Sequence, residues 1–78
     1  MKSFYTVYFN LGFDIELPDE EVNQIRTDET LNFFDKGGKY VDLILQHNPK
    51  LKEVLKSSSN GEISSVFKID DKDSPIYP

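Results

Sequence analysis

Six large apolar side chains, Tyr5, Val7, Phe9, Phe13, Ile15 and Leu17, all fall at odd positions near the start of the chain. A period of two over that length marks half-buried β-strands, because successive side chains leave a strand on opposite faces. Asn10-Leu11-Gly12 interrupts the run. A three-residue hairpin loop asks for a left-handed residue at its end, and Gly12 suits that place. The predicted pairing sets Phe9 against Phe13, Val7 against Ile15 and Tyr5 against Leu17. One face is then wholly apolar, and Thr6, Tyr8, Asp14 and Glu16 stand on the other. A single strand bent at Gly12 keeps the same alternation, so the hairpin is the favoured of two readings.

Residues 30–55 change period. Leu31, Phe34, Val41, Ile44, Leu45, Leu51, Val54 and Leu55 recur mostly three, four or seven apart, which gathers them on one helical face. Gly37-Gly38 and Asn48-Pro49 read as breaks, so the stretch is expected as two or three short helices. A further helix is expected from Pro18, whose missing N–H is harmless in a first turn, with Asp19, Glu20 and Glu21 at the positive end of the helix dipole. Val22 and Ile25 give it a narrow apolar edge ending near Arg26. Thr27 or Asp28 is the expected cap of the next helix. Residues 57–61, Ser-Ser-Ser-Asn-Gly, read as a loop. Ile63, Ser65, Phe67 and Ile69 alternate again as a last strand. Residues 70–78, with three Asp and two Pro, read as a loosely held acidic tail.

The expected architecture is therefore α+β. A three-stranded antiparallel sheet takes strands from 4–9, 13–17 and 62–69, and two to four short helices cover one face. Residues 1–69 form the expected compact domain and 70–78 the tail. The last strand is expected beside the first, since the hairpin already fixes the other neighbour.

With 78 residues and no cysteine, no disulfide or thiolate metal site can staple such a domain. Six Phe and four Tyr must supply much of the packing area. The start of the chain runs straight into strand alternation without a signal-peptide pattern. No run approaches the roughly 18 apolar residues of a membrane span. A cytoplasmic, non-membrane protein is expected. The formal charge of −5 disfavours direct attraction to nucleic acid or anionic lipid.

The chemistry-bearing residues read quietly. His47, the sole histidine, lies at a helix end, where the dipole favours a cation. Asp70, Asp71 and Asp73 lack the central Gly and spaced Glu of a calcium loop. Lys36-Gly37-Gly38-Lys39 precedes a helix but lacks P-loop spacing. Ser57 to Ser59 have no positioned base. Asp14 and Glu16 share a strand face, as carboxylates on a wet sheet face commonly do. No catalytic, cofactor or metal residue is assigned, and an enzyme is not expected.

Charge layout says more. Residues 1–35 set eight carboxylates against Lys2 and Arg26, a net of −6. Residues 36–56 set five lysines against Asp42 and Glu53, a net of +3, and residues 57–78 net −2. An acidic docking side is expected from Tyr8, Asp14, Glu16, Asp19, Glu20, Glu21, Asp28 and Glu29, with Tyr8 as anchor. The function that follows is a small acidic binding module that inhibits or modulates a larger protein with a basic surface. A nucleic-acid-handling enzyme is one such partner, and phage and mobile-element inhibitors of host defence act this way as a class. Two alternatives stand beside it. One is a nucleic-acid binder using Lys36, Lys39, Lys50, Lys52 and Lys56 on helices parted at Gly37-Gly38. The other is a self-associating module that pairs through Phe4 and Tyr8.

Overall fold

The computed structural model describes residues 1–9, 11–57 and 63–78. Asn10 of the predicted turn, most of the serine-rich loop and residue 62 of the predicted last strand lie outside the described residues.

The hairpin is real. Strand β1 (Lys2–Tyr8) pairs antiparallel with β2 (Gly12–Pro18). The register differs from the expected one by one step on each strand: Val7 faces Phe13, Tyr5 faces Ile15 and Tyr8 faces Gly12. Because side chains repeat every two residues, that offset leaves every residue on its predicted face. It does change the role of Gly12. This residue opens β2 instead of closing the turn, and the ring of Tyr8 lies across it. A Cβ at position 12 would meet Tyr8 Cε1 at 2.8 Å. Aromatic rings commonly cover a strand glycine in this way.

After β2 the chain enters α1 (Asp19–Arg26), with Asp19, Glu20 and Glu21 in its first turn. Asn32, not Thr27 or Asp28, caps the next helix by accepting from the Asp35 N–H at 2.8 Å. Asp28 instead closes a local turn by accepting from the Thr30 N–H at 2.9 Å. Helix α2 (Phe33–His47) runs through Gly37-Gly38 without a break. Each glycine costs helix stability of about 1 kcal/mol, but the burial of Tyr40, Leu43 and Ile44 outweighs propensity. Asn48 ends α2, and Pro49 opens a single 3-10 turn (Pro49–Leu51) leading into α3 (Lys52–Ser57).

Strand β3 (Ser65–Lys68) pairs with β1 on the side away from β2, as expected. Its faces are not as expected. Val66 opposite Val7 is buried, while Phe67 opposite Thr6 stands on the outer face. The largest correction concerns the end of the chain. Asp71–Tyr77 forms a fourth strand, β4, antiparallel to β3, so the sheet has the order β2-β1-β3-β4. Asp71, Asp73 and Pro75 hid it, since an edge strand with register shifts needs neither a full ladder nor regular alternation.

The core lies between the sheet and the helices. Tyr5, Val7, Phe9, Ile15 and Leu17 meet Val22, Tyr40, Leu43 and Ile44, with Val66 and Tyr77 closing the far side. Tyr77 explains the first glycine of α2. Its ring stacks on Phe33 at 5.0 Å and meets Tyr40 edge-on at 5.6 Å, and its hydroxyl donates to the Phe33 carbonyl. A Cβ on Gly37 would lie 2.5 Å from that hydroxyl oxygen, whereas Gly38 has open space. No helix among the described residues is long and apolar enough to cross a membrane.

The two adjacent glycines should therefore answer oppositely to the same change. Gly37→Ala should destabilise by about 1–3 kcal/mol, the usual cost of overpacking, while Gly38→Ala should stabilise by about 0.5–1 kcal/mol; urea unfolding of both variants checks this. The hydroxyl of Tyr40 is buried and has no hydrogen-bond partner among the described residues, and burial pushes its pKa up to about 12. Tyr40→Phe should thus keep or raise stability, by up to about 1 kcal/mol, in the same assay.

Candidate docking surface

The helices cover only one face of the sheet. On the other face stand the even residues of the hairpin, Phe4, Thr6, Tyr8, Asp14 and Glu16, joined by Phe67 from β3. Hydrogen-bond direction explains why these side chains crowd together. The Phe4 carbonyl accepts from the Ile69 N–H at 3.1 Å, so the even residues of β1 aim their backbone at β3. Even positions of β1 and β2 are then non-hydrogen-bonded pairs, where opposed side chains come closest. Thr6 Oγ1 accordingly donates to Asp14 Oδ1 at 2.7 Å, and Thr6 is buried although no helix covers it. Tyr8 meets Phe67 edge-on at 6.1 Å. Phe4 and Tyr8 remain 53% and 38% exposed, and Asp14 and Glu16 are exposed beside them.

At the turn end of the sheet this face runs into a cleft of about 1130 Å³. Tyr8 and Phe67 line one side, and Phe33, Phe34 and Val41 of α2 line the other, with Ile63 between. Phe34 is 81% exposed and leans edge-on against Phe33 at 5.5 Å. A second, smaller hollow of about 330 Å³ lies between α1 and α2 and includes Glu21, Asp28 and Lys39.

Of the eight residues that the sequence proposes for docking, the structure brings Tyr8, Asp14 and Glu16 together on the open face. The others belong to the helical layer, and most are engaged within the molecule. Asp19 accepts from the Tyr5 hydroxyl and from Ser3 Oγ, the latter at 2.8 Å. The Tyr5 hydrogen bond, reinforced by Ser3 and by the charge of Lys68, holds the Asp19 carboxyl below its ordinary range. Burial, then the bond to Asp19, pushes the Tyr5 phenol up. Glu20 receives the Met1 ammonium, which lowers its pKa. Glu21 lies 3.2 Å from His47 Nε2 at the end of α2, so the lone histidine meets a carboxylate. The Thr30 hydroxyl and N–H hold Asp28 low, with Lys36 and Lys39 adding smaller attractions. Glu29 is exposed. Lys36 turns back, its Nζ donating to the Arg26 carbonyl at 2.8 Å. With α2 continuous, the two-helix outline that suggested DNA binding is absent.

Sequence reasoning missed Phe33, Phe34 and Phe67 as surface residues, since an apolar side chain in an amphipathic pattern reads as core. Comparison with models of known protein families, with curated proteins and with solved structures finds no match.

The bond between Tyr5 and Asp19 ties β1 to the start of α1 and carries a pH signature. The carboxyl of Asp19 titrates lower in the folded chain than its ordinary 3.8. Its contribution is therefore complete above that value and disappears as pH falls through the folded pKa. Acid unfolding followed by circular dichroism should show stability falling below about pH 4. In Asp19→Asn that part of the acid limb should be gone. Tyr5→Phe should cost about 1–3 kcal/mol at neutral pH, as loss of a hydrogen bond to a charged group does.

Proposed function

We propose that this chain is a protein-binding module that acts on a larger partner by occupying a basic surface of it, through binding and not through catalysis. The supporting observation is the continuity of the open sheet face with the aromatic cleft. Tyr8 and Phe67 belong to both, so exposed rings and exposed carboxylates form one surface. Aromatic anchors in a partly formed hollow with charges around them are the usual make-up of a protein interface. Exposed rings at this density are otherwise a liability in so small a chain.

The carboxylates supply the direction. Asp14 and Glu16 stand exposed on the face, while Asp19, Glu20, Glu21 and Asp28 are engaged within the molecule. The reading therefore narrows the sequence-level surface to Tyr8, Asp14 and Glu16 and adds Phe34 and Phe67. A basic groove that ordinarily takes nucleic-acid phosphates is one partner surface of fitting chemistry.

Tagged protein exposed to extract of its native host should retain a partner at low salt. With that partner purified, Tyr8→Ala and Phe34→Ala should each weaken binding at least tenfold, which is about 1.4 kcal/mol. The double variant Asp14→Lys, Glu16→Lys should weaken it further and flatten its salt dependence. Glu29→Lys should leave it unchanged. Failure to retain any partner, or equal binding by all variants, would overturn the reading.

A further inference from the structure

The two edges of the sheet are built differently. Edge strand β4 contains Pro75, carries exposed Asp71 and Asp73, and shifts register twice against β3. Those features blunt an edge against pairing. Edge strand β2 has none of them within its span. It runs seven residues in unbroken register with β1, with proline only at its last position.

The direction of its free backbone groups follows from the ladder. The Asp19 N–H donates to the Met1 carbonyl at 2.8 Å, extending the row in which odd residues of β1 and β2 bond each other. The even residues of β2 therefore aim their backbone away from the sheet. Gly12, Asp14 and Glu16 present N–H and C=O groups along the outer edge, and all three residues are exposed. Two faces flank this row. On the open side stand the Asp14 and Glu16 carboxylates. On the core side, Phe13 is only half-buried where it stacks on Phe9 at 5.3 Å, and a strand beyond β2 would cover it.

We propose that β2 is a strand-addition site that takes an extended segment of a protein in which basic and apolar side chains alternate. Its basic residues lie beside Asp14 and Glu16, its apolar residues lie over Phe13, and its backbone completes the outer row of hydrogen bonds. This is β-augmentation, in which the main chain gives affinity and alternate side chains give selectivity. A second copy of this chain fits poorly, because antiparallel β2 strands would set carboxylate against carboxylate. The proposal deepens the binding-module reading and rests on it.

The probe is a capped seven-residue peptide alternating Lys and Val, titrated into the labelled full chain and followed by amide chemical shifts. Shifts should concentrate at Gly12, Asp14 and Glu16, with their amides gaining protection from exchange. A peptide of the same sequence N-methylated at the edge-facing positions keeps its charge and cannot form the ladder; it should bind at least tenfold more weakly. Glu16→Pro removes an outward N–H and no bond to β1, so the fold should persist and peptide binding should fall at least tenfold. Equal binding of the methylated peptide, or shifts confined to β4 or to the cleft, would overturn strand addition. A natural partner that binds Glu16→Pro normally but loses Tyr8→Ala would overturn it while leaving the binding-module reading intact. Dimerisation of the free chain through β2, seen by sedimentation and abolished by Glu16→Pro, would also overturn it.

Discussion

The passage of the Tyr77 ring beside Gly37 is the contact on which the rest of the packing depends. It places the last strand under the first turns of α2, with Phe33 stacked on one side of the ring and Tyr40 set against it at an angle. Without that approach β4 would have no anchor in the core, and β3 would lose its outer neighbour. A two-stranded hairpin is marginal in water, and extra strands under a helical layer make such a sheet stable. In a chain without disulfides, an aromatic cluster joining the last strand to the longest helix serves as the staple.

Much of this was legible in the residues. The odd-numbered alternation from Tyr5 to Leu17 identified the core face of the hairpin even though the turn was placed a residue late, because a pairing offset of that kind preserves faces. The same rule explains the failure at β3. Ile63, Ser65, Phe67 and Ile69 alternate as cleanly as their neighbours Ser64, Val66 and Lys68 do, and only tertiary context decides which row faces inward. Val66, the smaller residue, is the buried one. Gly37-Gly38 misled for a different reason. A glycine pair carries the signal of a helix stop, while a glycine needed for close approach shows its cause only when the approaching ring is known. That ring is Tyr77, in a stretch whose Asp and Pro content resembles a tail. The two misreadings are one, since the glycine and the hidden strand explain each other.

The charges show a similar division between what a sequence displays and what a fold does with it. Eight carboxylates in the first 35 residues look like a single acidic face. In the folded chain several of them are structural. Asp19 bonds Ser3 and Tyr5, Glu21 meets His47, and Asp28 shapes the link between α1 and α2. Helix-start preference and turn closure account for their abundance without any partner. Those on β2 are not explained that way. Asp14 has Thr6 as a partner, but a hydroxyl does not require a carboxylate opposite it, and Glu16 stands exposed opposite Phe4.

Negative charge along an open, regular edge has two physical consequences at once. It raises the energy of pairing with an identical strand, which is how exposed edges are commonly kept from aggregating. It lowers the energy of pairing with a strand of opposite charge, by attraction that acts before contact and strengthens as water is excluded. A bulge or a proline inside the strand, as on β4, would have supplied the first effect without the second. The protein uses those uncharged devices at one edge and charge alone at the other. That difference makes β2, and not β4, the edge that discriminates among partners instead of refusing all of them.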